Sequence, residues 1–336
     1  MFNFYKILFM MTLMIGSLIA ISSYSWLSMW MGLEINLLSI IPLLKDKNNI
    51  YPAEAALKYF ITQTLASMIL LLSILLSLNI QEFWPETLTF LNMIMNSALL
   101  TKVGAAPFHA WFPEVLEGLN WINSLLMLTW QKIAPMVLIF YNCKLSSFFL
   151  SIILISTIVS GILGLNQISL RKILAYSSIN HISWMLASML NSQYIWLIYF
   201  IIYSIISLNI ILILRLKQIF YLHQLFNSLN SSKLIKFSFM LNFFSLGGLP
   251  PFLGFFPKWL VVNNLIQQKF FLLSFLLIVF TLITLFFYLR ITFTALVINS
   301  SETLIFSPKK MDFLIFLFNF ISLSGLLIST LVFNYI

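Results

Sequence analysis

The chain has 336 residues, 61% of them hydrophobic and 8% charged, with a mean hydropathy of +1.02 and a formal charge of +9. A soluble domain carries roughly a quarter charged residues, so this composition excludes a soluble fold and predicts an all-α, polytopic membrane protein. The basic residues are scattered between apolar runs, not gathered into a patch with interleaved aromatics, which argues against nucleic-acid binding. A membrane helix needs roughly 20 mostly apolar residues. Eleven such runs occur in order: 3–22, 25–44, 54–79, 88–109, 121–141, 147–165, 171–190, 194–217, 237–268, 270–297 and 311–335. Connections are short, and residues 1–336 read as a single transmembrane domain without a linker. The longest polar stretch, 217–236, is expected to hold an amphipathic interfacial segment. The first run starts at once, without an Arg-rich presequence or a cleavage signature.

Two of these runs are broken. Gly104, Pro107, Phe108, Phe112, Pro113 and Leu116 in the fourth recur 144 residues later as Gly248, Pro251, Phe252, Phe256, Pro257 and Leu260 in the ninth, where Pro250 adds a further breaker. Glycine and proline interrupt the helical ladder, and such an interruption at membrane depth is tolerated only against protein or a water-filled cavity. Paired broken helices point to a transporter built from repeats. The competing explanation is coincidence in a Phe-rich chain. The helix count argues against it: the breaks lie five helices apart, an odd number, so equivalent helices cross in opposite directions. Helices 1–5 (about 3–141) and 6–10 (about 147–297) then form inverted repeats, each with a broken fourth helix, and helix 11 (about 311–335) is left over.

The connecting charges give an orientation. With eleven crossings, Lys6, Lys45, Lys47, Arg171, Lys172, Arg215, Lys217, Lys233, Lys236, Lys309 and Lys310 fall on one side, and Lys144 and Lys269 on the other. By the positive-inside rule the N-terminus faces the cytoplasm-equivalent side and the C-terminus the opposite one.

Charges also remain inside the runs: Glu34 in the second, Lys102 in the fourth, Lys132 in the fifth and Lys258 in the ninth, with His181 in the seventh. A lysine at the bilayer centre costs about 3 kcal/mol on insertion scales, so these residues are hard to treat as filler. Desolvation favours the neutral form of a lysine and a neighbouring carboxylate the charged form. A buried lysine that gains and loses such a partner can therefore take and give a proton. Glu34 is the natural counter-ion of Lys102, and Lys132 and Lys258 could pass a charge onward. The structural alternatives are a static Glu34–Lys102 pair, a packing charge at Lys132, neutralisation of freed carbonyls by Lys258, and a core histidine bonded to a carbonyl at His181. Glu54 and Lys58, four apart at a helix start, read as a plain i,i+4 pair. One cysteine, Cys143, excludes an internal disulfide and an iron–sulfur cluster held by this chain alone. The three histidines show no metal-ligand spacing, and no phosphate loop or dinucleotide fingerprint appears.

The motifs Met31-Gly32-Leu33-Glu34-Ile35-Asn36, Lys102-Val103-Gly104-Ala105-Ala106-Pro107-Phe108-His109, Trp130-Gln131-Lys132-Ile133-Ala134-Pro135, Leu170-Arg171-Lys172-Ile173-Leu174-Ala175-Tyr176-Ser177-Ser178-Ile179-Asn180-His181 and the stretch from Gly248 to Trp259 together resemble the NADH–ubiquinone oxidoreductase chain 2 family, antiporter-like membrane subunits of mitochondrial respiratory complex I, in an insect-like version. The resemblance runs from about Met31 to Leu260, and the last 70 or so residues share only hydropathy. It implies proton translocation across the mitochondrial inner membrane, with FMN, iron–sulfur clusters and ubiquinone in partner subunits and no cofactor in this chain. It implies that Glu34 and Lys102 form a switching pair, that Lys132 is a relay lysine, and that Lys258 is the lysine of the second broken helix. It also implies eleven helices where bacterial relatives carry fourteen, a basic matrix side with the C-terminus in the intermembrane space, and contacts with other membrane-arm and accessory subunits and with phospholipid such as cardiolipin. A stand-alone cation/proton antiporter and a purely structural membrane-arm subunit are the competing expectations.

Overall fold

The computed structural model describes residues 4–46, 49–80, 85–143, 146–228 and 233–297, together with 319, 320, 322, 324 and 325. The expected last helix at 311–335 lies almost wholly outside these residues, as do Lys47, Lys144, Lys309 and Lys310. Among the described residues the secondary structure is helical apart from one isolated β-bridge between Ser169 and Tyr221. The chain divides into two compact units, Met1–Ile152 and Ile153–Ile336.

The first unit contains α1 (Phe4–Ser22), α2 (Trp26–Leu44), α3 (Tyr51–Ile80), α4 (Pro85–Val103), α5 (Trp111–Gly118), α6 (Trp121–Leu128) and α7 (Trp130–Tyr141). Ser25 caps α2 by accepting the Ser28 amide at 3.3 Å. Helices α1 and α2 pack closely because glycines line their contact. A Cβ on Gly32 would lie 2.5 Å from the Ala20 nitrogen, and one on Gly16 would lie 2.9 Å from the Asn36 nitrogen. Helix α3 packs on α2, α4 and α5, and α7 packs on α4.

Helix α8 (Ser146–Leu165) leads into the second unit, followed by α9 (Leu170–Met189), α10 (Gln193–Lys217), α11 (Leu222–Ser228), α12 (Lys233–Gly247), α13 (Phe255–Gln267) and α14 (Phe271–Val297). Within this unit α9 is enclosed. Its residues from Ile173 to Met189 are all buried, although many are polar. Burial is tolerated because Ser177, Ser178, Ser183 and Ser188 each return their hydroxyl to the carbonyl three residues earlier, at 2.6–2.8 Å. Short α11 occupies part of the stretch expected to be interfacial.

Seven of the apolar runs among the described residues are long and apolar enough to span a membrane, with α6 and α7 together counted as one. The other four apolar runs fall short for identifiable reasons. Two are cut by the breaks, α9 is diluted by its buried serines, and the last lies outside the described residues.

Both breaks fold alike. Gly104 and Gly248 adopt φ of +84° and +77°, the left-handed region that glycine enters freely. The next amide then reaches back to close the first half-helix: Ala105 N donates to Leu100 O and Leu249 N to Phe244 O, both at 3.2 Å. Pro107 and Pro251 follow cis peptide bonds. The second half-helix opens with Phe112 N donating to His109 O at 2.9 Å and Phe256 N to Leu253 O at 3.3 Å. Each pair is separated by the same 144 residues as the sequence match.

The fourth and fifth runs differ from the sequence reading. The run expected at 88–109 begins at Pro85 and ends at Val103, and the segment after its break forms a separate helix, α5. The run at 121–141 is two helices that meet at Thr129. Pro135, six residues after the junction and inside α7, offers no N–H to the Gln131 carbonyl, so the first turn of α7 lacks that helical bond.

Candidate functional site

In the first unit the buried polar groups converge between α2, α3, α4 and α7. A small polar cavity is lined by Leu33, Asn36, Leu37, Tyr59, Gln63, Lys102, Gln131 and Pro135. Lys102 is 7% exposed, so its ammonium can face little except this cavity. Across the cavity wall the Tyr59 hydroxyl donates to Gln131 Oε1 at 3.3 Å, and Gln131 Nε2 donates to Asn36 Oδ1 at 2.9 Å. Glu34 lies two residues from Asn36 on α2. Its Oε1 is buried and makes no hydrogen bond. Its charge acts through space on both Lys102 and Tyr59. Glu34 and Lys102 are therefore in one electrostatic neighbourhood without a closed ion pair. Lys58 makes salt bridges to Glu54 at 3.2 Å and to Glu114 at 3.1 Å.

Lys132 is 1% exposed and holds its ammonium 5.3 Å from the centroid of the Phe112 ring. Phe112 comes from α5, so the second half of the broken fourth run supplies the face on which Lys132 rests. The Glu54–Lys58 pair forms as expected, but Lys58 also reaches Glu114 on α5, 56 residues away, which local spacing could not reveal. Glu114 occupies the offset that Lys258 occupies in the second break. The two breaks thus share a backbone and differ in the charge they carry.

In the second unit Lys258 is 8% exposed on α13. Its ammonium donates to the Gly247 carbonyl at 2.8 Å and the Leu246 carbonyl at 3.5 Å, at the C-terminal end of α12. A cation there neutralises the carbonyls freed by the break and the negative end of the helix dipole. Gly248 makes room for it: a Cβ would lie 2.7 Å from Lys258 Cδ and 3.1 Å from Nζ. Lys258 Nζ also lies 5.7 Å from the centroid of the Trp184 ring on α9. His181, one turn before Trp184, is buried, and its Nδ1 meets the Tyr199 hydroxyl at 2.9 Å. Its ring also packs on Tyr203. The expected carbonyl partner is therefore a tyrosine hydroxyl, joined by a neighbouring tyrosine ring. Asn180 donates to Thr284 Oγ1 on α14 at 3.2 Å.

The structure thus buries Lys102, Lys132, Lys258 and His181 and groups Lys102 with Glu34. It adds Tyr59, Gln63, Gln131, Asn36, Tyr199 and Tyr203, which sequence reasoning missed. Their signal was present, since each is a polar group within an apolar run. Among the described residues no group of three His, Cys, Asp or Glu side chains could hold a metal.

The relatives of the chain carry the same size and a common name. It is 50% identical over 332 residues to the NADH-ubiquinone oxidoreductase chain 2 of Aedes aegypti, and 45% identical over 335 residues to that of Anopheles gambiae. Each alignment covers 97% of both chains. The chain belongs to the NADH-ubiquinone oxidoreductase chain 2 family. That membership extends beyond insects, with 37% identity over 291 residues to the chain 2 of Equus asinus, covering 85% of this chain and 84% of that one. Residues 23–284 match the model of the wider family described as NADH:quinone oxidoreductase/Mrp antiporter, TM. The chain 2 fold resembles a chain of respiratory complex I from Thermus thermophilus, with a TM-score of 0.87 at 23% identity over 98% of this chain and 79% of that one. It also resembles a chain of the membrane-bound sulfane sulfur reductase, an archaeal respiratory membrane complex, with a TM-score of 0.82 at 14% identity over 97% and 73%. At these identities the likeness concerns the fold.

Proposed function

We propose that the chain is a core membrane subunit of complex I that contributes to proton translocation across the mitochondrial inner membrane. NADH oxidation and ubiquinone reduction take place in partner subunits. One cysteine cannot hold an iron–sulfur cluster, so FMN and the clusters are assigned to those partners as well. The observation that carries the reading is the set of lysines buried beside helix breaks, in a chain of this family. Lys102 opens on a polar cavity next to a carboxylate, and Lys258 sits on the carbonyls of the second break.

In this reading Glu34 and Lys102 are the switching pair. The unpaired Glu34 oxygen and the absence of an ion pair between them correspond to the open arrangement, in which Lys102 can release its proton. Lys132 takes the charge next, and Lys258 performs the same task in the second repeat. His181 belongs to the relay through Tyr199. The chain crosses the membrane eleven times as two inverted five-helix repeats and one further helix. Its N-terminus faces the matrix and its C-terminus the intermembrane space. Its outward apolar faces meet other membrane-arm and accessory subunits and phospholipid, cardiolipin included.

The test is a native gel of gently solubilised inner membranes, stained for NADH dehydrogenase activity and probed for this chain. The chain is expected in the large band that oxidises NADH. Migration alone, with sodium-dependent proton exchange by the purified chain in liposomes, would replace this reading with a stand-alone antiporter. Within the complex, Lys102→Met is expected to lower the protons moved per NADH. An unchanged yield would reduce the chain to a structural subunit.

A further inference from the structure

Lys102 opens on a cavity whose other lining side chains are mostly unable to carry a proton. Leucine and proline cannot, and the amides of Asn36, Gln63 and Gln131 are neither useful acids nor useful bases at physiological pH. Tyr59 differs, because a hydroxyl both donates and accepts. A proton that leaves Lys102 through this cavity therefore meets Tyr59. In the structure the Tyr59 proton is held by Gln131 Oε1, an amide oxygen that does not take it. The opposite end of the same amide is held by Asn36 Oδ1. Gln131 is also the residue whose backbone carbonyl Pro135 leaves without a helical donor, one residue before Lys132 and two after the break at Thr129. Its helix is irregular at this position, which leaves the side chain room for a second arrangement.

We propose that Gln131 is a gate on the proton path out of Lys102, and that Tyr59 is the hydroxyl it gates. With the Gln131 oxygen toward Tyr59, the Tyr59 proton has no base to go to and the path is closed. A half-turn of the amide points its NH₂ at the Tyr59 oxygen and its oxygen at Asn36, whose own amide turns to match. The Tyr59 proton is then free. The Lys102 ammonium gives a proton to the Tyr59 oxygen as the Tyr59 hydroxyl proton moves on toward Lys132. The net change is a neutral amine at Lys102, an ammonium at Lys132 and an unaltered Tyr59. Glu34, whose charge acts on both Lys102 and Tyr59, biases the position of the gate. This rests on the proton-translocation reading above.

The experiment uses inner-membrane vesicles that contain the assembled complex, and records both protons moved per NADH and the decay of an imposed pH gradient without NADH. Tyr59→Phe removes a single oxygen and is expected to lower proton yield to the level of Lys102→Met. Gln131→Leu removes the hold on Tyr59. It is expected to speed the passive decay, and adding Tyr59→Phe to it is expected to abolish that excess. A packing role for Gln131 would lower heat stability without producing a leak that depends on Tyr59. If Lys102→Met lowers the yield while Tyr59→Phe pumps as the parent does, the gate is overturned and the reading of function stands. If Lys102→Met also pumps normally, both fall. If Gln131→Leu leaks to the same extent with or without Tyr59, the gate is overturned as well.

Discussion

At single residues the constraint is space as often as charge. Gly254 lies where a Cβ would come within 1.7 Å of the Ser245 carbonyl oxygen, a backbone atom that cannot swing away. Gly161, within α8, would place its Cβ 3.4 Å from Ile283 Cγ2, an ordinary contact. Gly254→Ala is therefore expected to remove the chain from the assembled complex on a native gel, and Gly161→Ala to leave it there. Equal yields from the two would mean that the second break has slack the geometry denies. Cys143 gives a second residue-scale prediction. Burial pushes its thiol up to about 11, and the thiolate is the reactive form. A maleimide should label it slowly at neutral pH, with a rate that climbs roughly tenfold per pH unit until the pH nears that value. A rate that levels off near pH 8.5 would show that the thiol is in open water.

Among helices, the sequence is most informative where physics is local and least where partners are distant. A lone lysine in an apolar run has to be buried or lost to the interface, so the burial of Lys102, Lys132 and Lys258 was legible. The breaks were legible too, because glycine and proline act on their own backbone. Hydropathy, by contrast, does not register a helix that turns without becoming polar, so α5 and the break at Thr129 were missed. The Asn36–Gln131–Tyr59 chain joins residues 95 and 72 positions apart, and the His181–Tyr199 contact joins two separate helices, so neither leaves a spacing pattern. The Lys58 node is similarly non-local, since Glu114 arrives on α5. It is also exposed, with Lys58 at 44% and Glu114 at 59%, and water screens such pairs. Glu114→Gln is accordingly expected to leave the heat stability of the solubilised complex unchanged, since Lys58 keeps Glu54. A marked loss would show that a partner covers this face.

At the scale of the whole chain, the decisive question is whether a broken helix crosses the membrane. The run at 237–268 contains α12, a seven-residue break from Gly248 to Gly254, and α13, and neither half alone is long enough to span. Read as one crossing, it puts the polar stretch before it on the more basic side and the stretch after it on the opposite side. Read as a re-entrant loop, it leaves both on one side, and the second repeat lacks the crossing that would mirror the first. His223 and Gln268 flank the run and are exposed. In a Cys143→Ser background, Gln268→Cys is expected to react with an impermeant maleimide in intact mitoplasts, and His223→Cys only after the membrane is opened. The positive-inside rule sets that expectation, because it counts Lys217 and Lys236 on one side of the run and Lys269 on the other. Labelling of both from the same face would leave the local likeness of the breaks intact while removing the crossing by which the second repeat inverts the first.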